Sequence, residues 1–146
     1  MIPHASSMLR VRYAETDQMG VAYHGEYFAW FEVGRTDLLR GYGLTYRELE
    51  VQGLRLPVIE TQARFLKPAR YDDMLEIRTR LLELGRVRIS FAYEVHREGT
   101  TGPLATASTF HAAVDAAGRP RRLPENLRQR LQPTTAHAAA SKERGI

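Results

Sequence analysis

The sequence predicts an α+β domain, in which an antiparallel sheet of five to six strands wraps around one long central helix. Two changes of pattern predict this class. Apolar residues recur at helical spacing from Tyr27 to Leu38, and after Pro57 the apolar period falls to two, as in strands. Because a helix with a wide aromatic face needs a large apolar partner, we expect the sheet to cover it. The 146 residues fit one such domain.

The first strand is predicted from Met8 to Ala14, after a loose terminus at residues 1–7. Leu9, Val11 and Tyr13 alternate there with arginines, as in a half-buried strand. With this strand, the segments described below give a sheet of at least five strands.

The long helix follows the first strand and ends before Gly41 and Gly43. Its predicted buried face consists of Tyr27, Trp30, Phe31, Gly34 and Leu38. Thr45 and Glu48 form a capping-box pattern, which predicts a short second helix that runs to about Gln52.

Four long segments of strand-like alternation fill most of the second half of the chain. They are Pro57 to Lys67, Asp73 to Leu84, Val87 to Arg97 and Leu104 to Asp115. Short turns join them, so the sequence predicts a four-strand antiparallel meander. In the last segment, the alternating set is Leu104, Thr106, Ser108, Phe110, Ala112 and Val114. A short helix is predicted from Pro124 to Leu131, and we expect the Ala/Thr/Ser-rich residues 132–146 to be a disordered tail outside the 1–131 domain.

Composition excludes several classes of function. The chain has no cysteine, which excludes a disulfide framework, a thiolate zinc site and a cysteine nucleophile. The five histidines show no metal-ligand spacing, so we predict no metal site and no cofactor. No segment resembles a signal peptide or a membrane span, which predicts a cytoplasmic protein that does not span a membrane.

The net charge of +4 belongs to the end of the chain. Residues 1–115 hold 14 Lys and Arg against 15 Asp and Glu, whereas residues 116–146 hold 7 against 2. Nucleic-acid-binding domains usually carry their basic residues on the folded face, so we predict no nucleic-acid partner. The basic end is either a solvated tail or an electrostatic rim for a polyanionic ligand. Its residues are Arg119, Arg121, Arg122, Arg128, Arg130, Lys142 and Arg144.

The loop before the long helix is the predicted functional site. It is rich in small residues and brings the carboxylate of Asp17 close to the start of the helix. The first turn of a helix has unpaired backbone N–H groups and the positive end of the helix dipole, here near Tyr23 to Gly25. Gly20 and Gly25 allow a ligand to approach the backbone closely. On spacing alone, however, Asp17 is more simply a turn or N-cap residue.

The motif from Tyr13 to Tyr27 resembles the signature of the 4-hydroxybenzoyl-CoA thioesterase-like family, whose members have the hotdog fold. The resemblance is greatest to the acyl-CoA thioesterase branch that is encoded beside the Tol–Pal genes in many bacteria. Arg64 to Lys67 and Tyr71 to Leu75 match that family too, and the similarity covers roughly residues 8–131. The chain departs from the family pattern at Gln18 and Met19, where proline or alanine often follows the aspartate.

The resemblance implies that the protein is an enzyme that hydrolyses acyl-CoA thioesters, with Asp17 as nucleophile or general base. It also implies homodimers paired into tetramers, with active sites at subunit boundaries. Coenzyme A would then be part of the substrate and not a cofactor. Under this interpretation His24 and Gly25 complete the catalytic site, with helix N-terminal amides as the oxyanion site. The expected substrate-binding residues are Gln18, Met19, Gly20, Val21, Tyr23 and Tyr27, and the expected CoA-binding residues are Lys67, Arg86 and Arg88.

Several alternatives stay open. His24 is equally interpreted as a residue that only begins the helix. Glu32 is a rival carboxylate, because some hotdog thioesterases place the catalytic acid on the helix. It lies about 12 Å along the axis from His24 at ~1.5 Å per residue, so it could serve only a partner subunit's site. The chain could also be a hotdog enoyl-CoA hydratase or dehydratase, with Asp17 and His24 as its acid–base pair, or a non-catalytic acyl-CoA-binding protein.

Overall fold

The computed structural model describes residues 2–132 and contains three helices, one 3₁₀ turn and five strands within that range. In chain order these are β1 (His4–Arg10), the 3₁₀ turn Tyr13–Glu15, α1 (Glu26–Gly41), α2 (Tyr46–Val51), β2 (Val58–Phe65), β3 (Met74–Leu84), β4 (Arg88–Arg97), β5 (Ala105–Ala112) and α3 (Glu125–Leu131). The predicted α+β class, with a five-stranded antiparallel sheet and one long helix, is confirmed. The predicted tail lies outside the described residues, apart from Gln132.

The strand order is β1-β3-β4-β5-β2. The expected four-strand meander is therefore wrong, because only β3, β4 and β5 form a meander, and β2 pairs with β5 at the far edge. β4 and β5 lie between β2 and β3 in the sheet, so the connection from β2 to β3 is not a hairpin. It contains Pro68, which cannot donate to a ladder, and Asp72, which adopts a left-handed φ of 69°.

β1 begins and ends earlier than predicted. The expected loose residues 4–7 are part of the strand, where His4 pairs with Arg80 and Ser7 pairs with Ile77. The chain then leaves the sheet at Val11 and enters the 3₁₀ turn, so Tyr13 is 77% exposed instead of facing the core. Small polar residues gave no alternating pattern at 4–7, and pairing with β3 supplies the order there.

α1 lies against the inner face of the sheet. The five residues predicted for its buried face are all buried, and Leu39 joins them. Gly34 permits the close approach, because a Cβ at that position would lie 2.2 Å from the side-chain oxygen of Thr79 on β3. Phe31 stacks on Tyr93 of β4, with 4.7 Å between ring centroids. The tight contact with β3 and β4 fixes where the start of α1 lies.

α2 and α3 confirm the two predicted short helices. Thr45 caps α2 by accepting a hydrogen bond from the backbone N–H of Glu48. Neither these helices nor α1 has the length and hydrophobicity needed to cross a bilayer, among the residues that the structure describes.

β5 faces the core with the opposite parity from the predicted set. Its buried residues are Ala105, Thr109 and His111, and Phe110 turns to the outer face. Register explains the difference, because Thr109 and His111 lie opposite the core residues Phe91 and Ile89 of β4. The predicted set contains Phe110 and Ala112, and these two apolar residues line the outer face of the sheet instead of the core.

Candidate active site

Asp17 begins a tight turn that is closed by a single β-bridge. Thr16 pairs with Ala22, the N–H of Asp17 donates to the Val21 carbonyl at 2.9 Å, and the N–H of Gly20 donates to the Asp17 carbonyl at 3.0 Å. Gly20 has a φ of 79°, which favours glycine at the end of this turn. The segment from Thr16 to Ala22 is called the Asp17 loop below.

The carboxylate of Asp17 is exposed and has one protein partner. Its Oδ1 accepts a hydrogen bond from the N–H of Met19 at 2.8 Å, which is the local geometry of an aspartate turn. No cation contacts this carboxylate within residues 2–132. Oδ2 and one lone pair of Oδ1 are therefore free to act on a ligand.

Two unpaired backbone N–H groups lie at the start of α1. Tyr23 donates its N–H to the Glu15 carbonyl at 2.8 Å, which removes it from the expected set of free donors. No acceptor in the described part of the chain takes the N–H of His24 or of Gly25. Both groups add to the positive end of the α1 dipole. From Val21, the ladder partner of Asp17, three residues lead to His24, a chain distance of at most about 11 Å.

Glu15 is a buried carboxylate two residues before Asp17. It is 5% exposed, and both of its oxygens accept hydrogen bonds: Oε1 from the Arg12 N–H at 2.8 Å and Oε2 from the Trp30 indole N–H at 3.0 Å. The Arg12 guanidinium lies 3.4 Å from Oε2. Burial alone raises the pKa of Glu15, but the hydrogen bonds from Arg12 and Trp30 outweigh it and hold the pKa below its ordinary value. Glu15 is thus an anion that fixes the loop to α1.

Aromatic side chains surround the start of α1. The ring of His24 lies 4.4 Å from that of Tyr23 and 6.1 Å from that of Phe65, at the end of β2. Phe65 also contacts Tyr27 edge to face, with 4.9 Å between ring centroids. A Cβ at Gly25 would lie 2.6 Å from the Tyr23 ring, so a larger residue there would require the exposed Tyr23 side chain to shift. A partly apolar cluster therefore lies next to the start of α1.

The expected substrate-binding residues do not form one group in a single chain. Met19 and Tyr23 are 82% and 51% exposed, and Gln18 and Gly20 are exposed with them at the loop tip. Val21 is half-buried and bridges to Arg70. Tyr27 is only 3% exposed and belongs to the core, and burial raises the pKa of its phenol. Its ring contacts those of Trp30 and Phe65, so Tyr27 lies in the core and not at the loop tip.

The expected CoA-binding residues are divided between the two ends of the sheet. Lys67 is exposed on the β2–β3 connection, two residues from Ala69, whose carbonyl holds the Ala22 N–H. Arg86 and Arg88 lie at the β3–β4 hairpin, beyond an 11-residue strand from the site. That strand spans roughly 35 Å. There Arg86 joins Arg122 and Arg128 around a cavity of about 380 Å³. One arginine of the hairpin and two arginines of the basic chain end therefore lie around the same cavity.

Glu32 is exposed on α1 and has no ion pair within the described range. Within the same range, its side chain forms no hydrogen bond or ion pair with Arg35 or Thr36, its neighbours on the helix. No group of three or more His, Asp or Glu side chains in residues 2–132 has the arrangement of a metal site.

Sequence reasoning missed two residues of this site. Glu15 was quoted only as part of the Tyr13-to-Tyr27 motif, and no hydropathy pattern signals a buried carboxylate. Phe65 was quoted as part of Arg64 to Lys67, and its position beside Tyr27 depends on the pairing of β2 with β5. In both cases the residue was present in the motif that carried the family resemblance.

Comparison with known proteins was made at the level of sequence families and of structures. Residues 19–103 match the family described as the thioesterase superfamily. The acyl-CoA thioester hydrolase YbgC of Escherichia coli O6:H1 is 33% identical over 121 residues, which are 82% of this chain and 89% of YbgC. A hypothetical protein from Thermus thermophilus is 40% identical, with a TM-score of 0.81 over 86% of this chain and 95% of its own.

The structural comparison also reaches a more distant protein. A mutant of 4-hydroxybenzoyl CoA thioesterase, complexed with 4-hydroxybenzoyl CoA, is 19% identical to this chain. It has a TM-score of 0.81 and covers 89% of this chain and 99% of its own. Likeness at this identity shows the fold, and the hotdog arrangement expected from the sequence is confirmed.

Proposed function

Because the chain belongs to the thioesterase superfamily and is an enzyme of that family, we propose that it hydrolyses acyl-CoA thioesters to a free acid and CoA. Asp17 is the nucleophile or general base of the proposed reaction, and the amides of His24 and Gly25 form its oxyanion site. One observation supports this assignment above the others. Two unpaired N–H groups lie at the start of α1, on the segment that directly follows the Asp17 loop, and this loop carries the exposed Asp17 carboxylate. The relatedness to YbgC, an acyl-CoA thioester hydrolase, supports the substrate class.

The amides stabilise negative charge where the reaction creates it. As the thioester carbonyl is attacked, its oxygen gains charge, and a donor already aimed at that oxygen needs no reorganisation. One such donor typically changes kcat by ~10²–10³-fold. The unpaired N–H groups of His24 and Gly25 supply this stabilisation without a charged side chain, and the positive end of the α1 dipole adds to it.

Asp17 can act in one of two ways, as a nucleophile or as a general base. As a nucleophile, its carboxylate attacks the carbonyl carbon, the C–S bond breaks, CoA leaves as thiolate and takes a proton, and water then hydrolyses the mixed anhydride. As a general base, it takes a proton from water while that water attacks, and the proton passes to the departing sulfur. In the second route His24 has room to orient the water or the loop.

We infer that a second copy of the chain completes the site. β2 is an edge strand with both faces largely exposed, including Ile59 at 52% and Phe65 at 46%. On the outer side of α1, Phe28 and Val33 are also exposed, at 39% and 41%. Exposed apolar surface on an edge strand and on the outer side of a helix is surface that monomers rarely leave uncovered. A homodimer, paired further into a homotetramer, would cover it, and sedimentation at a single monomer mass would contradict this.

The same assembly gives Arg86 and Arg88 a part in substrate binding. They lie too far from Asp17 in one chain to contact the phosphates of its own CoA. In a homodimer they could hold the phosphates of CoA bound at the partner's site, together with Lys67 of that site. Arg86 has no ion pair among residues 2–132, so its charge is available to an anion.

The experiment is a panel of acyl-CoA esters assayed for free thiol with DTNB, for loss of enoyl absorbance and for equilibrium binding. The proposal predicts thiol release with at least one acyl group. Absorbance change without thiol would instead indicate a hydratase, and binding without either would indicate a non-catalytic acyl-CoA-binding protein. Both of these outcomes overturn the proposal.

The panel also tests the nucleotide contact when each acyl group is presented on CoA and on pantetheine, which lacks the nucleotide. We expect Arg86→Ala to raise KM by about 10-fold for the CoA ester, the effect of losing one charge-assisted contact of ~1.5 kcal/mol. The KM for the pantetheine ester should stay unchanged. An equal rise for both substrates would contradict the assignment of Arg86.

Location in the cytoplasm stays a prediction.

A further inference from the structure

We propose that Glu15 is a positioning residue, whose buried carboxylate holds the Asp17 loop in the geometry that the reaction needs. The inference rests on the proposed function, because it assigns Glu15 a role in the work of Asp17. Glu15 itself does not contact the substrate, since its side chain is 6% exposed.

Glu15 joins three separate segments. Its Oε1 is bonded to the backbone of Arg12, before the 3₁₀ turn, and its Oε2 is bonded to Trp30, in the second turn of α1. Its own carbonyl accepts the N–H of Tyr23, the residue just before the free amides. Glu15 therefore sets the distance between the base of the Asp17 loop and the start of α1.

The Asp17 loop has few other attachments. Ala22 donates its N–H to the Ala69 carbonyl at 2.8 Å, and Val21 bridges to Arg70. These contacts fix the returning arm of the loop. The outgoing arm, Thr16 and Asp17, is fixed through the 3₁₀ turn, in which the Thr16 N–H and hydroxyl both donate to the Tyr13 carbonyl. Glu15 holds that turn in place from within.

The site requires a carboxylate and not merely a polar side chain. Both oxygens of Glu15 face N–H donors, so both must accept. In Glu15→Gln, one oxygen becomes an NH₂ group that faces either the Arg12 N–H or the Trp30 indole N–H. A donor would then oppose a donor in a buried site, and the loop would separate from α1 on one side. Removing the indole N–H by Trp30→Phe leaves a position where the NH₂ group opposes only the Arg12 guanidinium, whose side chain is 75% exposed and can turn towards solvent.

The first measurement is hydrogen–deuterium exchange of residues 16–22, which needs no substrate. In Glu15→Gln we expect the amides of Asp17, Gly20 and Ala22 to exchange at least 10-fold faster, with exchange in the middle of α1 unchanged. Trp30→Phe should show a smaller change in the same direction, and it remains informative if Glu15→Gln does not fold. The double variant should exchange more slowly than Glu15→Gln alone. Unchanged loop exchange in both single variants would overturn the proposal.

The second measurement is turnover of the best acyl-CoA of the panel by folded Glu15→Gln. Misplacing Asp17 should lower kcat about 10-fold or more and leave KM within about threefold, because substrate is still bound but attacked from the wrong position. In the Asp17→Asn background, the same substitution should lower the residual kcat by less than twofold. An equal fold-loss in both backgrounds, or a wild-type kcat, would overturn the role of Glu15.

The two measurements separate the inference from the proposed function. If the wild-type enzyme releases no thiol from any ester, the proposed function fails, whereas the exchange result still decides whether Glu15 holds the loop. If thiol is released but exchange and kcat do not respond to Glu15→Gln, only the inference fails. The single tryptophan of the chain, Trp30, provides a fluorescence check that the indole environment changes in Glu15→Gln.

Discussion

Glu15 and Asp17 are carboxylates two residues apart, and the structure places them in opposite environments. Glu15 is 5% exposed with both oxygens bonded to N–H groups, whereas Asp17 is exposed with one local bond from Met19. A carboxylate whose two oxygens both accept hydrogen bonds from the protein holds structure in place, because acting on a substrate would require it to give up those bonds. An exposed carboxylate with free lone pairs, on the loop that leads to the unpaired amides, is available to accept a proton or attack a carbon. The comparison teaches that satisfied hydrogen bonds, and not burial, separate a structural acid from a chemical one.

The first way to challenge this comparison uses His111, another buried ionisable residue whose two polar atoms are both hydrogen-bonded. It is 1% exposed, its Nδ1 lies 3.0 Å from the Leu56 carbonyl, and its Nε2 lies 2.9 Å from the Thr109 hydroxyl. Because a carbonyl only accepts, Nδ1 carries the proton of the neutral ring. Burial lowers the pKa of His111 from its ordinary 6.5 to about 4.

His111 should therefore dominate the loss of stability in mild acid. A base whose folded pKa is lowered contributes stability that is complete above the unfolded pKa and is lost as pH falls from 6.5 towards 4. The expected loss over this window is up to about 3 kcal/mol, from ~1.36 kcal/mol per unit. Urea unfolding at several pH values measures it, and in His111→Gln the slope in this window should disappear. A slope that persists in the variant would mean that another group titrates.

The second prediction contrasts the two acids directly. Glu15→Gln should lower the free energy of unfolding by about 1–3 kcal/mol, because it leaves a buried donor unpaired. Asp17→Asn, an exposed change in a turn that asparagine also adopts, should stay within about 0.5 kcal/mol. Urea unfolding of both variants at pH 7 provides the measurement. Equal destabilisation by the two variants would remove the distinction between a structural and a chemical acid.

The stability that Glu15 contributes also depends on pH. The pKa of Glu15 is lowered in the folded protein, so its contribution is present above about pH 4.5 and is lost as pH falls through the lowered folded value. This window begins near the lower end of the His111 window. In Glu15→Gln the loss in the lower window should therefore shrink, while the loss above pH 4.5 remains.

The third and smallest effect concerns the turn that presents Asp17. Gly20→Ala meets no atom within 4 Å, so its cost comes only from the φ of 79°. That cost should be about 1 kcal/mol in thermal unfolding. Gly41→Ala is the matched control, because it also meets nothing within 4 Å but has no left-handed φ, and it should be neutral or slightly stabilising. Equal effects of the two would mean that the turn is not held in the left-handed geometry.

The sequence predicted the parts of the fold that depend on periodicity. The buried face of α1 follows from spacing alone, and so do the positions of the long strands in the second half of the chain. The parts that failed depend on pairing between distant segments. Pairing with β3 orders residues 4–7, and pairing with β5 moves β2 to the far edge. Neither long-range contact leaves a local signal.

Only part of the site could be predicted, because some of its contacts also join distant segments. The Asp17 turn and the start of α1 are local features, and turn residues with helical spacing indicate both. The burial of Glu15 beneath Trp30 and the contact of Phe65 with Tyr27 need the tertiary arrangement. The removal of the Tyr23 amide from the free donors also follows from a contact, with the Glu15 carbonyl, that spacing does not show.

The central claim is that the chemical acid is Asp17, and a matched pair of variants tests it most directly. Asp17→Asn and Glu32→Gln each replace one exposed carboxylate by its amide, so kcat for thiol release can be compared between folded enzymes. The account predicts that Asp17→Asn lowers kcat about 10²–10⁴-fold and that Glu32→Gln stays within about threefold. Loss of turnover in Glu32→Gln alone, with Asp17→Asn still active, would contradict it.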